Sequence, residues 1–243
     1  MRSAPILLLA FALLCSTPAV AQEDDFGIPK VEYPTLVSTA ATPEGFVPKG
    51  WVLETKSEGD LNGDGLDDLA LVLRDKDPAN IVKDEQFGSQ PFDTNPRMLA
   101  VALKEKGGGY RLALENHVLI PRAENSSQED VLSETGGVTA ERGTLRVSLY
   151  LFMSAGGWDM GYTAYTFRLE KGQFRLIGYD NYNVNRGSGV ISEVSINLLT
   201  GKVEVTAGDI SSDVDKTTTK KLKKKPVLTI AELGDGSELS FKY

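Results

Sequence analysis

The feature that most constrains the fold is a series of short alternating segments in the second half of the chain. Between Thr144 and Leu151 apolar residues occupy every second position, as expected for a strand with one face in a core. Similar segments follow at 162–169, 174–183, 190–199 and 202–207. Turns such as Thr200-Gly201 separate them, and no segment has the apolar periodicity of a three-turn amphipathic helix. The pattern predicts a mostly β protein, an antiparallel meander or sandwich-like single domain.

The first half of the chain adds further predicted strands. Trp51–Thr55 is one, and Leu69–Leu73 is a continuous apolar run typical of a strand that is covered on both faces. A glycine turn joins Met98–Leu103 to Tyr110–Ile120, which predicts a hairpin. The polar segments between these strands predict a long loop over 74–96 and a short helix over 128–132.

The N-terminus has the pattern of a secretory signal peptide over residues 1–21. A positive Arg2 precedes a nine-residue apolar run, and Ala19-Val-Ala21 is a signal-peptidase motif. Cleavage after Ala21 would give a periplasmic or secreted protein. The alternative is a lipoprotein signal with Cys15 as the acylated residue, although Leu14 is larger than the residue expected before it. Residues 22–50 are rich in proline and predict an irregular leader, followed by a β domain over 51–243.

The composition excludes several kinds of site. The chain has one cysteine, which lies in the signal peptide, so a disulfide scaffold, a cysteine nucleophile and thiolate metal ligation are excluded from the mature protein. A single histidine, His117, excludes a multi-histidine metal site. The net charge of −8, and the absence of aromatic residues among clustered lysines, argue against nucleic acid. No segment after the signal is long enough to span a membrane.

The segment Gly59-Asp-Leu-Asn-Gly-Asp-Gly-Leu-Asp-Asp-Leu-Ala70 has the spacing of a calcium loop. Ca²⁺ takes six to eight oxygen ligands, and alternating residues of a tight loop can direct their oxygens to one point. Gly65 allows the sharp turn that such a loop needs. The predicted ligands of a structural Ca²⁺ are the side chains of Asp60, Asn62, Asp64 and Asp68 and the backbone carbonyl of Leu66.

These residues resemble the DxNGDGxxD calcium loop of FG-GAP (VCBS-type) repeats. The match covers about 15 residues, and the first half of the loop is also similar to dockerin loops. Leu71 stands where an EF-hand has a bidentate glutamate, so strands rather than helices are expected on either side. A single copy does not make a propeller. The chain also resembles exported Gram-negative proteins that carry one such loop ahead of a β-meander, which implies location and fold type but no activity.

Two other segments are candidates for binding. Trp158, Tyr162, Tyr179 and Tyr182 could line a groove for a sugar or a peptide, although tyrosines in a meander more often pack across strands. The segment Lys216–Lys225 has six lysines in ten positions. It could bind an anionic partner, or it could be a solvated edge strand whose charges discourage pairing with other sheets.

The expected function is an exported, calcium-binding, non-catalytic binding or interaction module of the bacterial envelope, with a protein or glycan as the unknown partner. Two alternatives stay open. One is a secreted hydrolase that uses carboxylates in a β-cleft, although no pair stands out in the sequence, Asp159 with Asp180 included. The other is a periplasmic inhibitor or immunity protein. The sequence has no G-x-S-x-G motif for a serine nucleophile.

Overall fold

A computed structural model describes residues 28–83, 91–133, 136–212 and 214–243. The predicted signal peptide lies outside these ranges, so cleavage after Ala21 stays a prediction. The described residues are mostly antiparallel β, as predicted, and their sheets form neither a closed barrel nor a propeller. Among them, no helix has the length and apolar character needed to cross a membrane.

Fourteen strands are assigned in the described residues: β1 (Thr39–Ala40), β2 (Trp51–Gly59), β3 (Asp68–Asp75), β4 (Ile81–Lys83), β5 (Pro91–Asp93), β6 (Arg97–Lys104), β7 (Tyr110–Asn116), β8 (Gly137–Glu141), β9 (Thr144–Phe152), β10 (Asp159–Glu170), β11 (Gln173–Asn185), β12 (Val190–Asn197), β13 (Lys202–Asp209) and β14 (Lys216–Lys221). They form a five-stranded sheet in the order β1-β7-β6-β3-β2 and a seven-stranded meander from β14 to β8, with β4 and β5 as a separate pair. Two short 3-10 turns, Pro43–Phe46 and Pro78–Asn80, and one helical turn, α1 (Ile230–Leu233), complete the assigned elements.

Strand β3 lies between two hydrophobic clusters, which explains its unbroken apolar sequence. Its side chains alternate between the two faces of the five-stranded sheet. Ala70 and Val72 face the main core, which the inner side of the seven-stranded sheet completes. Leu69, Leu71 and Leu73 face a second cluster on the opposite side. The prediction that this segment is covered on both faces is therefore confirmed.

The leader forms the cover of that second cluster. Leu36 and Phe46 are buried against the outer face of the five-stranded sheet, and Tyr33 packs beside them. The described part of the predicted irregular leader also contains strand β1 and the first 3-10 turn. Its residues thus act as a third layer over the sheet.

Two local predictions are wrong. The predicted loop over 74–96 begins within β3, and it holds a 3-10 turn and the hairpin of β4 and β5. Asp77 caps this turn by accepting a hydrogen bond from the Ala79 N–H. The predicted helix over 128–132 is absent, because Gln128 bridges Met153 and Glu129 bonds to the Phe152 carbonyl, so this segment runs along the edge of β9.

The two large sheets meet where β2 approaches β8. The Ala140 N–H donates to the Ser57 hydroxyl at 2.9 Å. A β-carbon at Gly59 would collide with the Ala140 carbonyl oxygen, so the close approach requires glycine there. This contact places the Asp60 loop directly beyond the junction of the sheets.

Candidate functional site

The loop between β2 and β3 is organised around the Asp60 carboxylate. Its Oδ1 accepts the N–H groups of Gly63 at 2.6 Å and Asp64 at 3.2 Å, and its Oδ2 accepts that of Gly65 at 2.9 Å. Gly63 and Gly65 have positive φ angles of 81° and 85°, which only glycine adopts readily. These hydrogen bonds lower the pKa of Asp60, the one from Gly65 most strongly. The loop is therefore held in a tight turn around an ionised side chain.

Asn62 and Asp64 continue the same pattern. Asn62 Oδ1 accepts the Asp64 N–H at 2.8 Å, and Asp64 Oδ1 accepts the Leu66 N–H at 2.9 Å. The Asn62 amide also donates to Asp64 Oδ2 at 3.3 Å. The side chains of these two residues are exposed, so their oxygens remain open to solvent and ions.

Asp68 occupies a different environment at the start of β3. It is completely buried, and its two oxygens accept the N–H groups of Leu61 at 2.9 Å and Lys104 at 2.8 Å. Burial raises the pKa of this carboxyl, the two hydrogen bonds oppose the shift, and the carboxylates of Asp64 and Asp60 raise the pKa further. Asp68 thus fastens the loop to β6 and lies within the electrostatic field of the other two aspartates.

The donor set of the loop suits Ca²⁺ chemically, but its carboxylates are not gathered at one point. Within the described ranges, no three histidine, cysteine, aspartate or glutamate side chains form a group that could hold a metal ion. The predicted set also includes the Asn62 amide oxygen and the Leu66 carbonyl. A carboxylate oxygen has two lone pairs, so one that accepts an N–H can still face a cation. Binding at all five positions would require the exposed side chains to turn toward Asp68.

The structure separates the four predicted aromatic residues. Tyr162 and Tyr182 are paired across β10 and β11 on the outer face of the seven-stranded sheet, with ring centroids 5.9 Å apart and planes 21° apart. Tyr179 lies on the inner face and packs against Tyr165 and Phe241. Trp158 is 67% exposed at the end of the sheet, beside Gly187. The four residues therefore do not line a single groove.

The outer face also carries functional candidates that sequence reasoning missed. Tyr150 pairs with Tyr162 across β9 and β10, so Tyr150, Tyr162 and Tyr182 form a row of three. Phe152 lies nearly parallel to Tyr150, with planes 4° apart, and Glu193 of β12 continues the row beyond Tyr182. Alternation within each strand predicts which side of the sheet each of these residues faces. Their alignment in a row depends on the register between strands, which the sequence does not show.

A second missed feature is an ionic network around the buried Arg97, at the far end of β6. Arg97 is 8% exposed and makes two hydrogen bonds to the Glu54 carboxylate, at 2.6 and 2.8 Å, and one to Asp130 at 2.6 Å. Arg74 bonds to the same glutamate at 3.1 Å and to Asp93 at 2.8 Å. The network ties β2, β3 and β6 to the 128–132 segment. Its members are far apart in sequence, and no local pattern marks them.

The remaining candidates have structural environments. His117 stacks on Tyr33 with ring centroids 4.3 Å apart and contacts Glu115 at 2.8 Å. Strand β14, which holds three of the six lysines of the run, is the outermost strand of the meander, and all of its residues are exposed. This placement agrees with the solvated edge strand that was one of its two interpretations.

Asp159 and Asp180, the carboxylates considered for hydrolysis, lie far apart. Asp159 is paired with Asn185, whereas Asp180 bonds to Arg146 and Ser195 at 2.7 Å each. Asn185 is about 17 Å along the strand from Asp180, at roughly 3.3 Å per residue. Glycosidase carboxyl groups are about 5–10 Å apart, so this pair does not fit that chemistry.

Comparison with known proteins identifies no relative. No protein-family model matches the chain, and no curated protein or solved structure is significantly similar to it.

Proposed function

We propose that this protein is a calcium-binding, non-catalytic interaction module that works in the bacterial envelope or outside the cell. Ca²⁺ would bind at the loop of Asp60, Asn62, Asp64, Leu66 and Asp68 and would have a structural role. The expectation of export rests on the signal-like first 21 residues and is part of the same proposal.

The observation that supports the calcium proposal is a buried carboxyl without an ion pair at the base of the loop. Asp68 is fully buried and has no ion pair with any described residue, while Asp60 and Asp64 add their negative field to it. A buried carboxylate without a cation partner is costly, and a divalent ion between these groups would remove that cost. The exposed oxygens of Asn62 and Asp64 provide a solvent-accessible entry for the ion.

The attachment of the loop supports a structural role for the ion. Its first residue follows β2 at the junction with β8, and its last acidic residue is bonded to β6. An ion held there would brace three strands against one another. Because a ligand that binds only the folded state stabilises that state, Ca²⁺ is expected to raise the melting temperature.

The test is thermal unfolding of the purified protein in millimolar Ca²⁺ and in EDTA. The native protein is expected to melt at a higher temperature with Ca²⁺, and Asp64→Ala is expected to abolish that difference. Asp67→Ala is the matched control, since it removes an exposed carboxylate from the same loop that is outside the predicted ligand set. Equal melting temperatures in both buffers, or equal responses of the two variants, would refute the calcium site.

A further inference from the structure

We propose that the outer face of the seven-stranded sheet binds a neutral polysaccharide chain along the row formed by Tyr150, Tyr162, Tyr182 and Glu193. This row is called the tyrosine row below. The inference deepens the proposed function, because it rests on the protein being a binding module, but it does not depend on calcium.

The tyrosine row is accessible and is not part of the core. All four side chains are partly exposed, and none of them belongs to either hydrophobic cluster. The inner face of the same sheet is filled instead by Phe167, Ile196 and the other residues of the main core. A row of aromatic rings that stays partly exposed and lies outside both hydrophobic clusters is a candidate for ligand contact.

The polar groups of the tyrosine row have no hydrogen-bond partner among the described residues. The hydroxyls of Tyr150, Tyr162 and Tyr182 make no hydrogen bond to any described residue, and the Glu193 carboxylate makes neither a hydrogen bond nor an ion pair within that part of the chain. Three phenol donors and one carboxylate acceptor thus lie in register across four strands. Sugars offer hydroxyls for such groups and apolar C–H faces for aromatic rings, so both halves of this surface would be used.

The charges beside the row balance, which selects a neutral ligand. Arg146 is neutralised by Asp180 at 2.7 Å, and the Arg186 guanidinium lies over the Phe152 ring at 4.4 Å from its centroid. With Glu193 these groups comprise two positive and two negative charges. An anionic glycan or membrane would need a positive field, which is found instead at the exposed lysines of β14.

The polar groups beside the tyrosine row are held in place by hydrogen bonds. Ser195 holds Asp180 Oδ1 at 2.7 Å, while Arg146 holds its Oδ2. Arg186 is fixed at the end of the sheet by the Met153 and Gly157 carbonyls at 2.6 and 2.7 Å. Because these neighbouring side chains are already fixed, they lose little conformational entropy when a ligand binds.

The test is affinity electrophoresis of the full protein in native gels that contain a soluble polysaccharide. The probes are a neutral β-glucan, a neutral α-glucan and, as the anionic counterpart, polygalacturonate. A neutral glucan is expected to retard the protein, and Tyr162→Ala and Tyr182→Ala are each expected to weaken binding about tenfold, as for central residues of a binding surface. Tyr110→Ala, on the other sheet, is the control and should bind normally; melting curves establish that each variant is folded.

Three results would overturn the inference. These are no retardation by either neutral glucan, unchanged binding by both tyrosine variants, and retardation by polygalacturonate alone. Running the same gels with EDTA and with Asp64→Ala separates this inference from the calcium site, because glucan binding should persist in both. Release of reducing ends from the bound glucan would refute the non-catalytic function while supporting the ligand class.

Discussion

At the scale of single residues, Asp68 shows how one side chain can serve both the fold and a site. Its carboxylate satisfies two backbone N–H groups from different parts of the chain, so it would be needed even without an ion. Its position nine residues into the calcium-type pattern predicted a ligand, whereas its complete burial depends on how β3 packs against β6. The sequence therefore indicates that Asp68 offers oxygen atoms, but it does not show that the side chain points into the protein.

Replacement of Asp68 is expected to destabilise the protein in the absence of calcium. Asp68→Ala leaves the Leu61 and Lys104 N–H groups without acceptors, at about 1–3 kcal/mol for each buried group. Asp68→Asn keeps one acceptor oxygen and should have a smaller effect. The measurement is urea unfolding in EDTA, and Asp67→Ala should lie within about 0.5 kcal/mol of the native protein. A native-like Asp68→Ala would show that these hydrogen bonds add no stability.

At the scale of elements, the strands with alternating apolar residues could be predicted from the sequence. The short strands that form only by pairing with another strand could not. Each of β9 to β13 carries its own period-two pattern, which local sequence reveals. Strands β4 and β5 have three residues each and were missed, because such short elements form only by pairing. Tyr179 and Tyr182 lie on opposite faces by simple alternation, since they are three positions apart in β11. The sequence did not reveal the bulge at Ile177, which changes the parity of β11 so that Leu176 and Tyr179 both face the core.

The network that joins β2, β6 and the 128–132 segment should make stability depend on pH. Burial opposes ionisation of Asp130, but the Arg97 and Leu132 hydrogen bonds prevail and lower its pKa. A lowered pKa contributes stability above the unfolded-state value of about 3.9, and this stability is lost as the pH falls through the folded-state value. The advantage of the native protein over Asp130→Asn, measured by urea unfolding, should therefore shrink in acid. Glu129→Gln, at an exposed neighbour, should show no such trend; parallel pH profiles for both variants would contradict the assignment.

At the scale of the whole molecule, the described chain has three layers: the leader, the five-stranded sheet and the seven-stranded sheet. The apolar run of β3 predicted that something covers both of its faces. Nothing in the proline-rich leader identified it as that cover, because its contacts are with residues far along the chain. The open outer side of the last layer carries the tyrosine row.

The leader is expected to be essential for stability. Phe46 is 1% exposed in the second cluster, so Phe46→Ala should lower the free energy of unfolding by about 3–5 kcal/mol. Val37→Ala is the control from the same layer, since Val37 is 50% exposed, and it should cost less than about 0.5 kcal/mol. Chemical denaturation measures both. If both variants lowered the free energy of unfolding by the same small amount, the packing of the leader on the sheet would not contribute to stability.

The junction of β2 with β8 also sets an order for assembly. Ser57 and Ala140 are 83 positions apart along the chain, and contacts between such distant segments form late because they restrict so much of the polymer. Strand β2 is the last strand of its sheet, so its open edge stays uncovered by β8 until that later segment has been made. We therefore expect the early part of a newly made chain to be open to pairing with other chains at this edge.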